Sequence, residues 1–508
     1  MTATAAHVLS IDDLAEETAR LRADGRRVVH CHGVFDLLHV GHLRYFEQAR
    51  AMGDALVVTV TPDRFVNKGP GRPAFPEALR AEHVAALKCV DFAAVNRWPR
   101  ATEAIERVKP DLYVKGSEYK DDQDVTGAIA EERAAVEAAG GELAFTDDIV
   151  FSSSNLLNRF FPQLPDRTRR YLKGFSEKFG IDAIEDCFEK MATLNCLVIG
   201  ETIVDEYQYG TAIGKSSKEP TLVVKCEKLE RFAGGVLAVA NNAAAAVGSV
   251  DVVTQLGEHN RHEDFLHGKL AEKVRPDFLT RPGAPTIVKR RLVDSYFFTK
   301  LIEMYEIDDS PPKPADTRAL IESVEAKIEA ADLVLVVDFG HGMIAPELIS
   351  VLTQRAKFLA VNTQANAGNF GYHTLGKYPR ADLACVAEGE MRLEARDPSP
   401  PIREVMDRVR RRIDCATLVT TRGKHGSLCW DRDLGFVETP AVAAKVVDRV
   451  GAGDTFLSLM APALAAGAPV EVAAFIGAVA GAEAVATVGH RRYLDRGALL
   501  RHVHGLLK

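Results

Sequence analysis

Twice along the chain an apolar, β-rich run ends at a glycine-bearing turn and passes into a helix-like stretch. That repeated opening limits what the chain can fold into. The first is Arg27-Val28-Val29-His30-Cys31-His32-Gly33-Val34-Phe35-Asp36, leading into Leu43–Ala51, and a second apolar run, Ala55–Val60, follows. Strand–helix–strand alternation implies parallel strands, because parallel neighbours need a crossover connection. Further strands are predicted at Phe92–Val95, Leu112–Val114 and Glu142–Phe145, with a helix over Val125–Ala139. The second opening starts at Cys196-Leu197-Val198-Ile199-Gly200, and strands recur at Val250–Val253, Leu333–Val337, Phe358–Val361 and Thr417–Thr420. The predicted fold class is α/β in both halves.

The spacing divides the chain into a first domain over 1–162, a polar helical connector over 163–191 carrying Arg167, Arg169 and Arg170, and a second domain over 192–508. The net charge of -8 argues against a dedicated nucleic-acid binder, which would carry a basic stripe. The eight cysteines (Cys31, Cys89, Cys187, Cys196, Cys226, Cys385, Cys415 and Cys429) form no Cys-x-x-Cys pair, which reads as reduced, cytoplasmic usage. Met1–Ala23 carries Asp12, Asp13, Glu16 and Glu17 and does not read as a signal peptide. The most apolar stretch, Ser458–Gly489, contains Glu471, Glu483, Pro462 and Pro469, and is expected as buried helices rather than a membrane span.

At the first opening stands His39-Val40-Gly41-His42. A strand-to-helix junction offers free backbone N–H groups and the positive helix end, a ready place for phosphate. Gly41 lets a nucleotide approach the backbone closely. Two imidazoles three residues apart can reach one bound group. Donors aimed at an attacked α-phosphate stabilise charge without a covalent intermediate. The segment resembles the cytidylyltransferase-like family, whose signature is His-x-Gly-His. Three later segments extend the resemblance over roughly residues 25 to 162: Asn67-Lys68-Gly69-Pro70-Gly71-Arg72 with Leu79-Arg80, Asp111-Leu112-Tyr113-Val114-Lys115-Gly116, and Phe151-Ser152-Ser153-Ser154-Asn155. By that resemblance His39, His42 and Lys115 are catalytic. Gly33, Phe35, Asp36, Gly41, Lys68, Arg72, Ser153, Ser154 and Asn155 would line the nucleotide, CTP or ATP. His30, His32, His39 and His42 also leave open a structural metal site, although magnesium bound mainly through the nucleotide is favoured.

Near the C-terminus stands Val450-Gly451-Ala452-Gly453-Asp454. Two glycines at a helix start can build an anion hole of N–H groups, and the following carboxylate can take a proton from an attacking hydroxyl. The segment resembles the signature of ribokinase-like sugar kinases. Gly200-Glu201-Thr202-Ile203-Val204-Asp205, Ala233-Gly234-Gly235 and Thr420-Thr421-Arg422-Gly423 extend the likeness over roughly 192 to 508. It implies Asp454 as general base, Thr421, Gly423, Gly451, Ala452 and Gly453 at ATP, and Asp205, Gly234 and Gly235 at the sugar. It also implies a small β lid, expected at Glu219–Glu227 and Ile287–Ile302, through which such domains often dimerise. Three departures stand out: Ala238 for an asparagine, Cys385-Val386-Ala387-Glu388 for Asn-x-x-Glu, and Asn362-Thr363-Gln364 for Asp-Pro-Lys. Glu388 is retained as a metal-organising candidate.

Together the halves resemble bifunctional heptose kinase/adenylyltransferases with the domain order reversed. The implied function is nucleotide-sugar synthesis for lipopolysaccharide, capsule or another glycoconjugate. Nucleotidyl transfer goes to a sugar phosphate, and ATP phosphorylates a sugar or sugar phosphate. The competing reading is a nucleotidylyltransferase whose kinase-like half only binds sugar or dimerises.

Overall fold

The computed structural model describes residues 7–66, 73–116, 128–146 and 164–508, apart from 309, 370 and 508. The chain divides into two units, Met1–Gln163 and Leu164–Lys508.

The first unit is one parallel sheet of β1 (Val8–Leu9), β2 (Val28–Gly33), β3 (Ala55–Val60), β4 (Phe92–Val95), β5 (Leu112–Lys115) and β6 (Glu142–Phe145), in spatial order β1-β4-β3-β2-β5-β6. Buried strands read as near-continuous apolar runs because helices cover both faces of such a sheet; all six residues of β3 are buried. Strand order reverses between β2 and β5. In open α/β sheets ligands bind beyond the carboxyl ends of the strands at that switch. His39–His42 follows β2 and Lys115 ends β5, so sequence order alone delivers these groups to one edge of the sheet.

The second unit has a nine-stranded sheet and a four-stranded one. The larger contains β7 (Asn195–Gly200), β10 (Ser249–His259), β11 (Val274–Pro285), β14 (Leu333–Asp338), β15 (Leu359–Thr363), β16 (Arg380–Ala387), β17 (Asp414–Thr421), β18 (Ser427–Asp431) and β19 (Gly435–Thr439). Its order is β11-β10-β7-β14-β15-β16-β17-β18-β19, parallel as far as β17 and antiparallel beyond. The smaller sheet, β13-β12-β8-β9, is the lid. It is built from β8 (Thr202–Lys215), β9 (Leu222–Gly235), β12 (Ile287–Asp294) and β13 (Lys300–Glu306). Its first hairpin starts well before the predicted Glu219. One residue separates β7 from β8, so the chain runs almost without a break from the core sheet into the lid.

Helices Asp166–Phe179 and Asp182–Met191, predicted as a connector, belong to the core of the second unit. Leu172, Phe175, Ile184, Cys187, Phe188 and Met191 are buried in its main cluster. Phe175 stacks on Phe475 at 4.4 Å between ring centroids. The apolar stretch after Ser458 forms helices Ala452–Ala465 and Val470–Val485, both largely buried. Among the described residues no helix is long and apolar enough to cross a membrane.

Candidate functional site

In the first unit, His39 ends the turn after β2 and caps helix Val40–Ala51. Its Nδ1 accepts from the Gly41 N–H at 3.1 Å. The cap stacks the imidazole against His42, with ring centroids 4.0 Å apart. Phe35 is held at φ 47° and meets His42 edge-on at 5.4 Å, buttressing the pair from the apolar side. Two imidazoles thus lie side by side over a helix N-terminus, where anions are favoured. Lys115 ends β5 and reaches Glu132 at 2.8 Å.

Asp36 and Arg80 both make contacts to nearby backbone. Asp36 is buried and accepts from the Ala74 N–H at 2.6 Å and the Phe75 N–H at 3.2 Å, so it fixes the loop ahead of helix Glu77–Ala85. Arg80, within the resembling stretch, is wholly buried. Its guanidinium donates to the carbonyls of Phe75, Val34 and Thr61 and pairs with Asp63 at 2.6 Å. It therefore ties the exits of β2 and β3 together.

His30 and His32 do point to one side of β2, as alternation requires. His30 Nε2 and His32 Nδ1 lie 2.7 and 2.8 Å from Thr59 Oγ1. Burial and the Lys115 charge hold His30 down to about 3, and His32 well below the usual imidazole range. Among the described residues no group of three or more His, Cys, Asp or Glu is placed to hold a metal ion. Lys68, Arg72, Ser153, Ser154 and Asn155 lie outside the described residues.

In the second unit, the carboxyl ends of β7, β14, β15, β16 and β17 share one edge because the strands run parallel. Helix Ala452–Ala465 begins there, with Gly451 as N-cap at φ 76°. A side chain at 451 would be strained and would also strike the His490 ring. Gly453 lies against Thr421 Oγ1 at the end of β17, so two predicted nucleotide contacts meet; Gly423 opens the turn beyond.

Asp454, in the first turn, accepts a hydrogen bond from the Gln364 amide. Burial, then the Glu390 charge, pushes its carboxyl up to about 7, against the pull of that hydrogen bond. Such a carboxylate is a stronger base than an ordinary one. The Asp205 charge also bears on Asp454, so the predicted sugar-binding residue lies within electrostatic reach of the predicted base. Asp205 is buried beside Gly234 and pairs with Arg291, which also holds Glu303 at 2.8 Å. Gly235 caps the next helix, Val236–Ala243, in which Ala238 is buried. The two oxygens of Glu388 are engaged by Arg392 at 2.7 Å and Arg422 at 3.0 Å.

Sequence reasoning missed four residues of this cleft. Gln364 entered only as a departure from a pattern. Lys289 on β12 is 8% exposed, and its ammonium lies over the Tyr305 and Phe339 rings; burial lowers its amine, with Asp205 opposing. Arg291 stands two residues on, and that Lys-x-Arg alternation was the available signal. His490 is the fourth, packed on the anion-hole turn.

The pfkB family carbohydrate kinase model matches residues 193–495, more than half of the chain. The chain belongs to the pfkB family of carbohydrate kinases. A cytidylyltransferase-like model matches residues 30–159, ahead of the pfkB region. Curated relatives include the bifunctional protein HldE of Methylobacillus flagellatus, 38% identical over 31% of this chain and 32% of its own. The HldE of Nitrobacter hamburgensis is 28% identical over 61% of this chain and 63% of its own. The chain thus spans less than two thirds of the length of the curated relatives it matches. Among solved structures, phosphofructokinase-2 from Escherichia coli in complex with substrates and products matches the pfkB region with a TM-score of 0.51 and 17% identity. The match covers 62% of this chain and all of that one, and speaks to the fold alone.

Proposed function

We propose that the protein is a bifunctional enzyme of nucleotide-sugar synthesis, with the transferase half ahead of the kinase half. The observation that carries the kinase half of this reading is Asp454, a carboxyl raised toward neutrality in the first turn after Gly451–Gly453 and within electrostatic reach of Asp205. In the kinase reaction the Asp454 carboxylate takes the proton of a sugar hydroxyl as its oxygen bonds to the γ-phosphorus of ATP. The bond to the bridging oxygen breaks and ADP leaves, while the N–H groups of the mouth stabilise the phosphoryl charge. In the transferase reaction a sugar phosphate oxygen attacks the α-phosphorus of CTP or ATP and pyrophosphate leaves. His39, His42 and Lys115 face the charge that develops.

Magnesium enters as part of the nucleotide substrate. Among the described residues no group of three or more His, Cys, Asp or Glu is placed to hold a metal ion, and Glu388 is held by two arginines. We place the protein in the cytoplasm, among small-molecule nucleotide and sugar phosphate partners. We also propose a homodimer that packs lid against lid. One lid face presents Leu222, Val224, Leu229, Leu292 and Met304 around Cys226, with Glu206, Gln208, Arg231 and Arg290 among them; a second copy offers the same face, and symmetric self-pairing would bury the apolar residues of both.

The second reading, a transferase with an idle kinase half, is favoured by Ala238 and by the locked Glu388. The deciding assay follows pyrophosphate and ADP release separately, with each nucleoside triphosphate against sugars and sugar 1-phosphates. Asp454→Asn should remove ADP formation and spare pyrophosphate release, and His42→Asn should do the reverse. Wild-type protein that releases pyrophosphate but forms no ADP with any sugar or sugar phosphate, or ADP formation unchanged by Asp454→Asn, favours the second reading.

A further inference from the structure

Asp448 lies three residues before the anion-hole turn and is 3% exposed. Four donors converge on its two carboxylate oxygens. Two come from the mouth side: the Val450 N–H at 3.2 Å and the Gly489 N–H at 3.0 Å. Two come from the lid: the Tyr207 hydroxyl on β8 at 2.7 Å and the Lys300 ammonium, which opens β13, at 2.6 Å. These are the two lid strands that flank β12.

Apolar packing runs in parallel with this node. The Phe232 ring meets Tyr207 edge-on at 5.2 Å and rests on Gly489, and the next residue, His490, rests on Gly451. A carboxylate this deeply buried needs its donors, and removing one leaves an oxygen poorly satisfied. Through Asp448 the lid thus supplies two of the four donors that tie the residues before Gly451 to their surroundings.

We infer that Tyr207 and Lys300 are positioning residues for phosphoryl transfer, because through Asp448 they make the shape of the anion hole depend on the seating of the lid. This rests on the kinase reading of the second unit. Coupling of this kind is reciprocal: if a seated lid improves the mouth for phosphate, phosphate in the mouth steadies the lid. Neither side chain touches the transferred group, and both act through Asp448.

The test needs no sugar. Hydrogen exchange of the full-length protein is followed with and without the magnesium complex of a non-hydrolysable ATP analogue. Peptides are read over the mouth (449–456), over β8 and β13, and over β14 as a folding control. In the wild-type protein the analogue should slow exchange about tenfold at the mouth and in both lid strands. In Tyr207→Phe and Lys300→Met, with β14 unchanged, the mouth should still be protected while the lid strands slow less than about twofold. Lid protection that persists in both variants overturns the inference, as does a wild-type lid that ignores a protected mouth. A wild-type mouth that gains no protection sinks the kinase reading, and the inference falls with it.

Discussion

A carboxyl kept near neutrality should weaken the fold that holds it, and Asp454 allows that cost to be measured without any substrate. Raising the group from its ordinary 3.8 to about 7 corresponds to a ceiling of about 4 kcal/mol between its protonation states. The side chain is only part-buried at the cleft mouth, so solvent screening brings the expected effect to about 2 kcal/mol. The sign follows from proton uptake. The folded protein binds this proton more tightly than the unfolded chain, so stability falls as pH rises from about 4 to about 7, and the full penalty stands above that window.

Asp454→Asn keeps an oxygen to accept from Gln364 and cannot titrate. Relative to its value at about pH 4, the variant's stability over the wild-type protein should grow by about 2 kcal/mol by about pH 8. Trp98 and Trp430 are the two tryptophans and lie in different units. In a Trp98→Phe background, urea unfolding read by Trp430 fluorescence therefore reports on the second unit. A stability gap that is the same at pH 5 and pH 8 would refute the reasoning, because it would mean that Asp454 titrates as an ordinary carboxyl.

Two further outcomes are expected. In Gly234→Ala the added methyl would overlap Asp205 Oδ2, and Arg291 stops that carboxylate from yielding. A displacement of about 1 Å should lower kcat/KM for sugar phosphorylation about 100-fold and leave pyrophosphate release unchanged; equal kinase activity would show that Asp205 does not place the sugar. Met304→Asp, on the apolar lid face, should shift light-scattering mass from dimer to monomer, and an unchanged mass would remove the lid from the interface.

How far the sequence could be read depended on which physical signal dominated each stretch. Apolar runs declared themselves, so β3, covered on both faces, and the shorter β4 and β6 fall where the runs predicted them. The first lid hairpin did not, because residues such as Glu227, Lys228 and Arg231 face solvent and break the apolar run that marks a strand, whereas the second lid segment begins at Ile287 as predicted. The helices before β7 were read as a connector because Arg167, Arg169 and Arg170 dominate their start. The spacing of Thr168, Leu172, Phe175 and Phe179 already carried the buried stripe. At the sites, groups gathered by a contiguous motif were legible: His39 with His42, and Gly451 through Asp454. Gln364, Lys289 and Asp448 take their meaning from partners far along the chain, and only the folded arrangement supplies those. Arg80 stood within the resembling stretch, and only the fold shows its guanidinium donating to three backbone carbonyls and Asp63.

The two helices at the head of the second unit, the first studded with arginines, have a consequence for anyone who wishes to take the protein apart. The severing point suggested by the polar stretch, near residue 191, would strip Leu172, Phe175, Phe188 and Met191 from the surface they cover. It would lay open the small-residue helices beneath, and a fragment cut there would invite aggregation before any question about its chemistry could be asked. A cut ahead of Leu164 keeps that cover in place.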